Sequence, residues 1–162
     1  MRLLGLDPGL RNTGWGVIEA QGNRLSYVAD GVICSNAALG LAERLTQLFE
    51  GVREIVARFS PGETAIEEVF VNQNPTSTLK LGQARGAVML PPALAGVPVF
   101  EYKPNQIKKS VVGVGHASKD QINLMVRTLL PGCLAASPDA ADALAVAICH
   151  AHHRPSLQRG LA

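Results

Sequence analysis

An aspartate ends the first apolar run of the chain, RLLGLD, and Pro8-Gly9 follows it at once. A carboxylate at the tip of a buried strand loses solvation, so Asp7 needs a cation, a hydrogen-bond nest or a metal beside it. Glu67 and Glu68 lie inside AIEEVF, where strand alternation sends one to each face, so only one of the two can join a cluster. Asp139 and Asp142, in PDAADALAVAIC, stand three residues apart, which on a helix places their Cβ atoms roughly 5–6 Å from each other on one face. Taken singly, Asp139 is explained by the helix macrodipole and Glu67 by an ordinary ion pair. Asp142 is harder to place that way among Ala140, Ala141, Ala143 and Leu144, and strand-end loops such as the one after Asp7 commonly carry sites. Taken together, these acids have no partner base nearby in sequence and cannot all ionise at close range without a cation. The natural filler is a hard divalent ion with oxygen ligands, magnesium first. Two such ions roughly 3.5–4 Å apart can activate a water on one side of a phosphodiester and stabilise the leaving oxygen on the other.

The acids must be held by elements that the sequence also predicts. Arg2 to Leu6, Trp15 to Ala20 and Leu25 to Cys34 read as three strands joined by short turns, a meander. LAERLTQLFEGVREIVARF repeats its apolar residues at helical spacing and stops at Ser60-Pro61-Gly62. A fourth strand spans Thr64 to Val69, a second helix about Ser77 to Leu90, and a fifth strand Val97 to Tyr102. Helical pieces then follow in NQIKKSVVG, SKDQINLMVRTLL and PDAADALAVAICHAHH. Ser137 suits the cap of the last helix and Pro138 its first position. The change from meander to strand-helix-strand predicts an α/β fold with a five-stranded mixed sheet flanked by helices.

The 162 residues, 47% apolar and 17% charged, fit one domain with a real core, here taken as residues 1–153 with 154–162 as a flexible tail. No apolar run is long enough for a membrane span and no leader opens the chain, so a cytoplasmic protein is expected. Cys34, Cys133 and Cys149 are odd in number and widely spaced, as expected of buried, reduced thiols. Net charge is +2, but Val69 to Pro138 carries seven basic residues against two acidic ones. That bias suits a polyanion, with Lys80, Arg85 and Lys109 as candidate phosphate contacts, although a solvated basic surface of this size is also common and is the better reading of charge alone.

In order and spacing, the segments GLDPGLRNTGWGVIE, AIEEVF, LKLGQARGAV, PVFEY, SVVGVGHASKDQ and PDAADALAVAICH closely resemble the RuvC family of Holliday junction resolvases, over about residues 1 to 153. The resemblance implies a ribonuclease H-like fold and a homodimeric, magnesium-dependent endonuclease that places paired symmetric nicks across a four-way DNA junction in recombination and repair. It further implies about two Mg²⁺ per site, replaceable by Mn²⁺, and RuvA and RuvB as the branch-migration partners. Residue by residue, Asp7, Glu67, Asp139 and Asp142 match the family's metal-binding acids, which resolves the choice between Glu67 and Glu68. Phe70 matches an aromatic that stacks on a base near the crossover, and Lys108 and Lys119 match lysines near the scissile phosphate. The second helix matches the segment that pairs the subunits, but Pro91 and Pro92 fall where relatives continue that helix, so an end or kink near Leu90 is expected.

Two other classes compete. DPGLRNTG also resembles the phosphate-binding turn of actin-like and sugar-kinase ATPases, which need two lobes where this length supplies one. A catalytically silent junction-binding module would use the basic region alone, yet four acids facing DNA without metal would repel the phosphates. In CHAHHRP, Cys149, His150, His152 and His153 crowd one helix end. Histidines favoured at a helix C-terminus explain them better than a zinc site.

Overall fold

Alternation along β1 (Arg2–Asp7) decides the layering. In the computed structural model, which describes residues 1–70 and 73–160, Leu4 and Leu6 of β1 join one core cluster and Leu3 the other. β1 therefore lies between two layers, as a central strand apolar on both sides must. β2 (Asn12–Gln21) and β3 (Arg24–Cys34) continue it as an antiparallel meander, with Gly22 at φ 57° in the tight turn between them. The chain then crosses through α1 (Leu41–Phe59) to β4 (Glu63–Glu67), parallel to β1, and through α2 (Pro75–Leu94) to β5 (Val99–Tyr102), parallel to β4. The sheet order is β3-β2-β1-β4-β5, a five-stranded mixed sheet as expected.

One face is covered by α1 and α2, whose Leu48, Val52 and Val88 pack with Leu4, Leu6 and Ile66. The other is covered by α5 (Pro138–Gly160), with α3 (Pro104–Val112) and α4 (Lys119–Leu129) outside it. Between sheet and outer helices, α5 is buried on nearly every side from Ala140 to His150, and its alanines allow the close approach.

Several boundaries differ from the sequence reading. β4 begins at Glu63 and ends at Glu67, because the chain turns out of the ladder after Glu68 N–H bonds Tyr102 O at 2.9 Å. α2 does not stop near Leu90 but runs to Leu94 through both prolines. Each missing N–H forfeits one i→i−4 bond close to the end of the helix, two in all. The carbonyls of Pro91 and Pro92 still accept from Ala95 (3.1 Å) and Val97 (2.9 Å), and both rings are buried. α5 continues to Gly160, so residues 154–160, expected as tail, extend the helix; residues 161 and 162 lie outside the described part. Cys133 and Cys149 are buried free thiols, but Cys34 is exposed at the end of the edge strand β3.

The histidines are not at a helix end, which removes the C-terminal explanation for them. His150 is fully buried, its Nε2 2.8 Å from Glu63 Oε2 and its Nδ1 2.8 Å from the Tyr102 hydroxyl. Burial alone would raise Glu63, but hydrogen bonds from Arg154 and His150 outweigh it and hold the carboxyl below its ordinary value. An ionised carboxylate only accepts, so the proton of His150 sits on Nε2 and Nδ1 accepts from Tyr102. Burial pushes that phenol up to about 12, which keeps it a donor. With both ring nitrogens engaged, His150 has none left for zinc.

Candidate active site

The carboxylates are assembled by strand alternation and by glycine. Leu3, Gly5 and Asp7 share the α5 face of β1, while Ala65 and Glu67 share the same face of β4. The parallel register pairs Leu6 with Ile66, so one step further the two acids end adjacent strands side by side. The turn after Asp7 is fixed by buried Thr13, whose hydroxyl donates to Gly9 O at 2.8 Å and accepts from Gly9 N–H at 3.3 Å.

Asp139 and Asp142 arrive on the first turns of α5, which starts as the sequence predicts: Pro138 opens it and Ser137 Oγ accepts from Ala140 N–H at 3.1 Å. What brings them close is a bare patch on the sheet. Gly5 and Gly16 pair across β1 and β2 and Gly14 pairs with Asp7, all three glycines lying directly beneath α5. A Cβ on Gly14 would lie 2.0 Å from Asp139 O, and one on Gly5 2.0 Å from Ala143 O. No side chain larger than hydrogen fits there, so these glycines set the depth at which the helical acids meet the strand acids.

The four acids line one open cavity of about 330 Å³ together with Lys108 of α3 and Lys119 of α4, over an apolar floor that includes Ile107, Ile122 and Val146. Burial, then the charges of Glu67 and Asp142, a hydrogen bond with Glu67 and the charge of Asp139 push Asp7 up to about 8. Burial also raises Glu67, with Asp142 adding to it; the shared hydrogen bond with Asp7 and the charges of Lys108 and Lys119 work the other way. Lys119 Nζ lies 3.3 Å from Asp142 Oδ2, and that carboxylate raises the lysine. The cluster is thus short of positive charge, which without a cation favours the protonated form of Asp7.

As donors, four carboxylates form an all-oxygen set that fits a hard divalent cation. Among the described residues no three His, Cys, Asp or Glu side chains converge on a single ion position, so the acids ring the cavity without closing on one point.

Phe70 is 58% exposed beyond β4 and lines an adjoining hollow of about 220 Å³ with Asp7, Glu67 and Leu81, which excludes a core role. Lys80 and Lys109 are exposed and outside the cavity. Arg85 differs from the expectation of a DNA-facing cation: its side chain is 18% exposed, Nε donates to Glu67 O at 3.0 Å, and the guanidinium pairs with Glu101. Sequence reasoning passed over the supporting residues Gly5, Gly14 and Thr13 as site components and read Arg85 only as a DNA contact. The only available signal was the density of small residues facing each other in GLDPG and NTGWG.

A mixed β3-β2-β1-β4-β5 sheet with acids at the ends of β1 and β4 and on the final helix defines a nuclease of the ribonuclease H-like class. The family model for crossover junction endodeoxyribonuclease RuvC matches residues 3–150. The RuvC of Paramagnetospirillum magneticum is 65% identical over 159 residues, covering 98% of this chain and 96% of the relative. That of Rhodospirillum rubrum is 64% identical over 154 residues, covering 95% and 91%. Among solved structures, T. thermophilus RuvC in complex with Holliday junction substrate superposes with a TM-score of 0.89 at 35% identity, covering 96% of each chain. The yeast mitochondrial Holliday junction resolvase Ydc2, at 13% identity and a TM-score of 0.70 over 97% and 80% of the two chains, shares the fold. The chain belongs to the RuvC family of crossover junction endodeoxyribonucleases. Among the described residues, no helix is long and apolar enough to cross a membrane.

Proposed function

We propose that the protein is a magnesium-dependent resolvase that cuts four-way DNA junctions by paired symmetric nicks, acting as a homodimer. The observation that carries this is the meeting of Asp7, Glu67, Asp139 and Asp142 in one open cavity rimmed by Lys108 and Lys119. Support for the substrate comes from the likeness to a RuvC solved with a Holliday junction.

The four carboxylates would hold the metal, Mg²⁺ or in its place Mn²⁺, which when bound supplies the positive charge the cluster lacks and polarises phosphodiester oxygens. Hydrolysis adds water across the P–O3′ bond, leaving a 5′ phosphate and a 3′ hydroxyl. Lys119, already drawn to Asp142, and Lys108, which lines the same cavity, place ammonium groups where charge grows on phosphorus-bound oxygens. Exposed Phe70 offers a stacking face beside the carboxylates, and a base held there orients the strand that enters the cavity. Lys80 and Lys109 contribute surface charge for the flanking phosphates.

The subunit contact is assigned to α2. Leu79, Leu90 and Leu94 are exposed along it, and a Cβ at Gly82 or Gly86 would meet nothing within 4 Å, so this apolar face approaches no other part of the chain. RuvA and RuvB are assigned as partners on the family resemblance alone.

The test is cleavage of a labelled four-way junction with and without Mg²⁺, with a linear duplex as control and Asp7→Asn alongside. Symmetric nicks in the junction only, lost in the variant with junction binding retained, are expected. An Asp7→Asn protein that cuts normally would refute the site, and tight binding without cleavage under any divalent ion would favour the silent binding module.

A further inference from the structure

We infer that Arg85 is a positioning residue for Glu67, holding the end of β4 from the opposite face of the sheet; this rests on the active-site reading above. Glu67 is the last residue of β4, and β1, its neighbour on one side, ends at Asp7. On the other side Glu68 N–H takes the last bond to Tyr102 O. The carbonyl of Glu67 is met by the Nε–H of Arg85, at 3.0 Å, from α2. The same guanidinium pairs with the carboxylate of Glu101 on β5, whose ladder partner is Ile66, the residue before Glu67. One planar cation therefore ties the ends of two strands where the catalytic chain leaves the sheet.

The geometry is specific to arginine. The Nε–H reaches the carbonyl while a terminal nitrogen reaches Glu101, a two-point grip that a lysine ammonium, a single point charge, does not reproduce. The Glu67 side chain faces α5 while Arg85 approaches from the α2 layer. The arginine thus touches the backbone of the acid without entering the cavity, whose lining it does not join. Its low exposure separates it from Lys80 on the same helix, which points to solvent. If the backbone at Glu67 loosens, the carboxylate beside Asp7 loses its fixed placement and the donor set is spoiled. Removing such an outer support of a metal-binding group typically lowers metal affinity or activity about 10- to 100-fold.

The experiment compares wild type with Arg85→Gln, Arg85→Lys and Glu101→Gln. It measures single-turnover junction cleavage, direct Mn²⁺ binding by electron paramagnetic resonance without DNA, junction affinity in EDTA across salt concentrations, and thermal unfolding. For Arg85→Gln the expected result is cleavage slower by about 10- to 100-fold and Mn²⁺ affinity weaker by about 10-fold. Junction affinity in EDTA and its salt slope should stay within about two-fold, with little change in melting temperature. Arg85→Lys should not rescue, and Glu101→Gln, which keeps the bond to Glu67, should lose only about three- to ten-fold. Unchanged cleavage and Mn²⁺ binding would overturn the assignment. So would weaker junction binding with a shallower salt slope, the signature of a phosphate contact, or full rescue by lysine, which would reduce the role to charge. A wild-type protein that neither cuts nor binds Mn²⁺ sinks the active-site reading itself; a wild type that does both beside unaffected variants sinks only the role of Arg85.

Discussion

At the scale of single residues, the acids are placed at a cost to the fold. Asp7 is pushed up to about 8 by burial and by the neighbouring carboxylates, so without metal it favours its protonated form at neutral pH, whereas in the unfolded chain it ionises near its ordinary 3.8. A raised acid works against stability as pH climbs from about 4 toward 8, since the unfolded chain gives up its proton first. Asp7→Asn keeps the shape and removes the group that must hold a proton in the fold while the unfolded chain releases it. In EDTA at pH 7.5 it should stabilise the protein by about 1–2 kcal/mol, read as a higher melting temperature, while cleavage is abolished. Added Mg²⁺ should raise the melting temperature of wild type, because the ion binds the folded state alone, and should do so far less for the variant. A variant that is less stable in EDTA would mean that Asp7 has a structural partner. The carboxylates stood out in the sequence as charges in apolar runs, while the choice of Glu67 over Glu68 came from the family resemblance. Thr13 did not stand out, and Arg85 was read only as a DNA contact, because the roles of both rest on contacts with backbone carbonyls that no composition or spacing encodes.

At the scale of elements, the final helix carries the argument. α5 lies on Gly5, Gly14 and Gly16, and Gly14→Ala would drive a methyl into the carbonyl of Asp139, 2.0 Å from the new Cβ, so the helix must lift at the end that bears the acids. Gly16→Ala meets the Leu144 side chain first, at 2.7 Å, and then the Leu144 backbone N at 3.0 Å, further along the helix than Asp139. Both overpack the core, by about 1–3 kcal/mol. Cleavage per folded molecule should nonetheless fall at least about 100-fold in Gly14→Ala, as expected for an Å-scale misplacement of catalytic groups, and much less in Gly16→Ala. Equal losses in the two would show that depth at Asp139 does not matter. Further along α5, His150 is held by Glu63 and Tyr102, and burial keeps it below its ordinary 6.5 despite the pull of Glu63. The unfolded imidazole takes a proton as pH falls through 6.5 while the folded one resists, so this site loses stability on acidification, and Glu63, held low, loses more below 4.5. His150→Gln should therefore cost about 1–3 kcal/mol at pH 7.5, and its deficit against wild type should shrink between pH 6.5 and 5 in parallel urea titrations. A deficit constant with pH would mean that His150 titrates alike in the folded and unfolded chain, and one that grows on acidification would mean that it is charged in the fold. Helix periodicity made α5 legible as a helix. Its length and its burial on both sides were not, since an alanine-rich stretch shows no polar face to orient it and no cap to end it at His153.

At the scale of the whole molecule, the layering followed from strand patterns and the family resemblance marked α2 as the pairing segment, but the length of the face it leaves open was not foreseen. The prolines at 91 and 92 read as a break in α2, yet buried packing and two late carbonyl bonds carry the helix through them, so its exposed stripe is longer than the sequence implied. That stripe gives the dimer proposal a clean test. Because a Cβ at Gly82 or Gly86 meets nothing within 4 Å, a substitution there leaves the monomer's own packing untouched and raises helix propensity by about 0.5–1 kcal/mol. A glutamate at either position inserts bulk and charge where a second copy would pack its small residues. Gly86→Glu should fold as stably as wild type or better, yet sediment as a monomer at micromolar concentration where wild type is a dimer. Paired nicking of one junction should then give way to single nicks, because two cavities are no longer held at a fixed spacing. If the variant stays dimeric, the subunit contact lies elsewhere and the apolar face of α2 has another occupant. If it becomes monomeric and still nicks both strands together, pairing of the cuts does not come from the dimer, and the symmetry argued for the reaction has to be sought in the DNA.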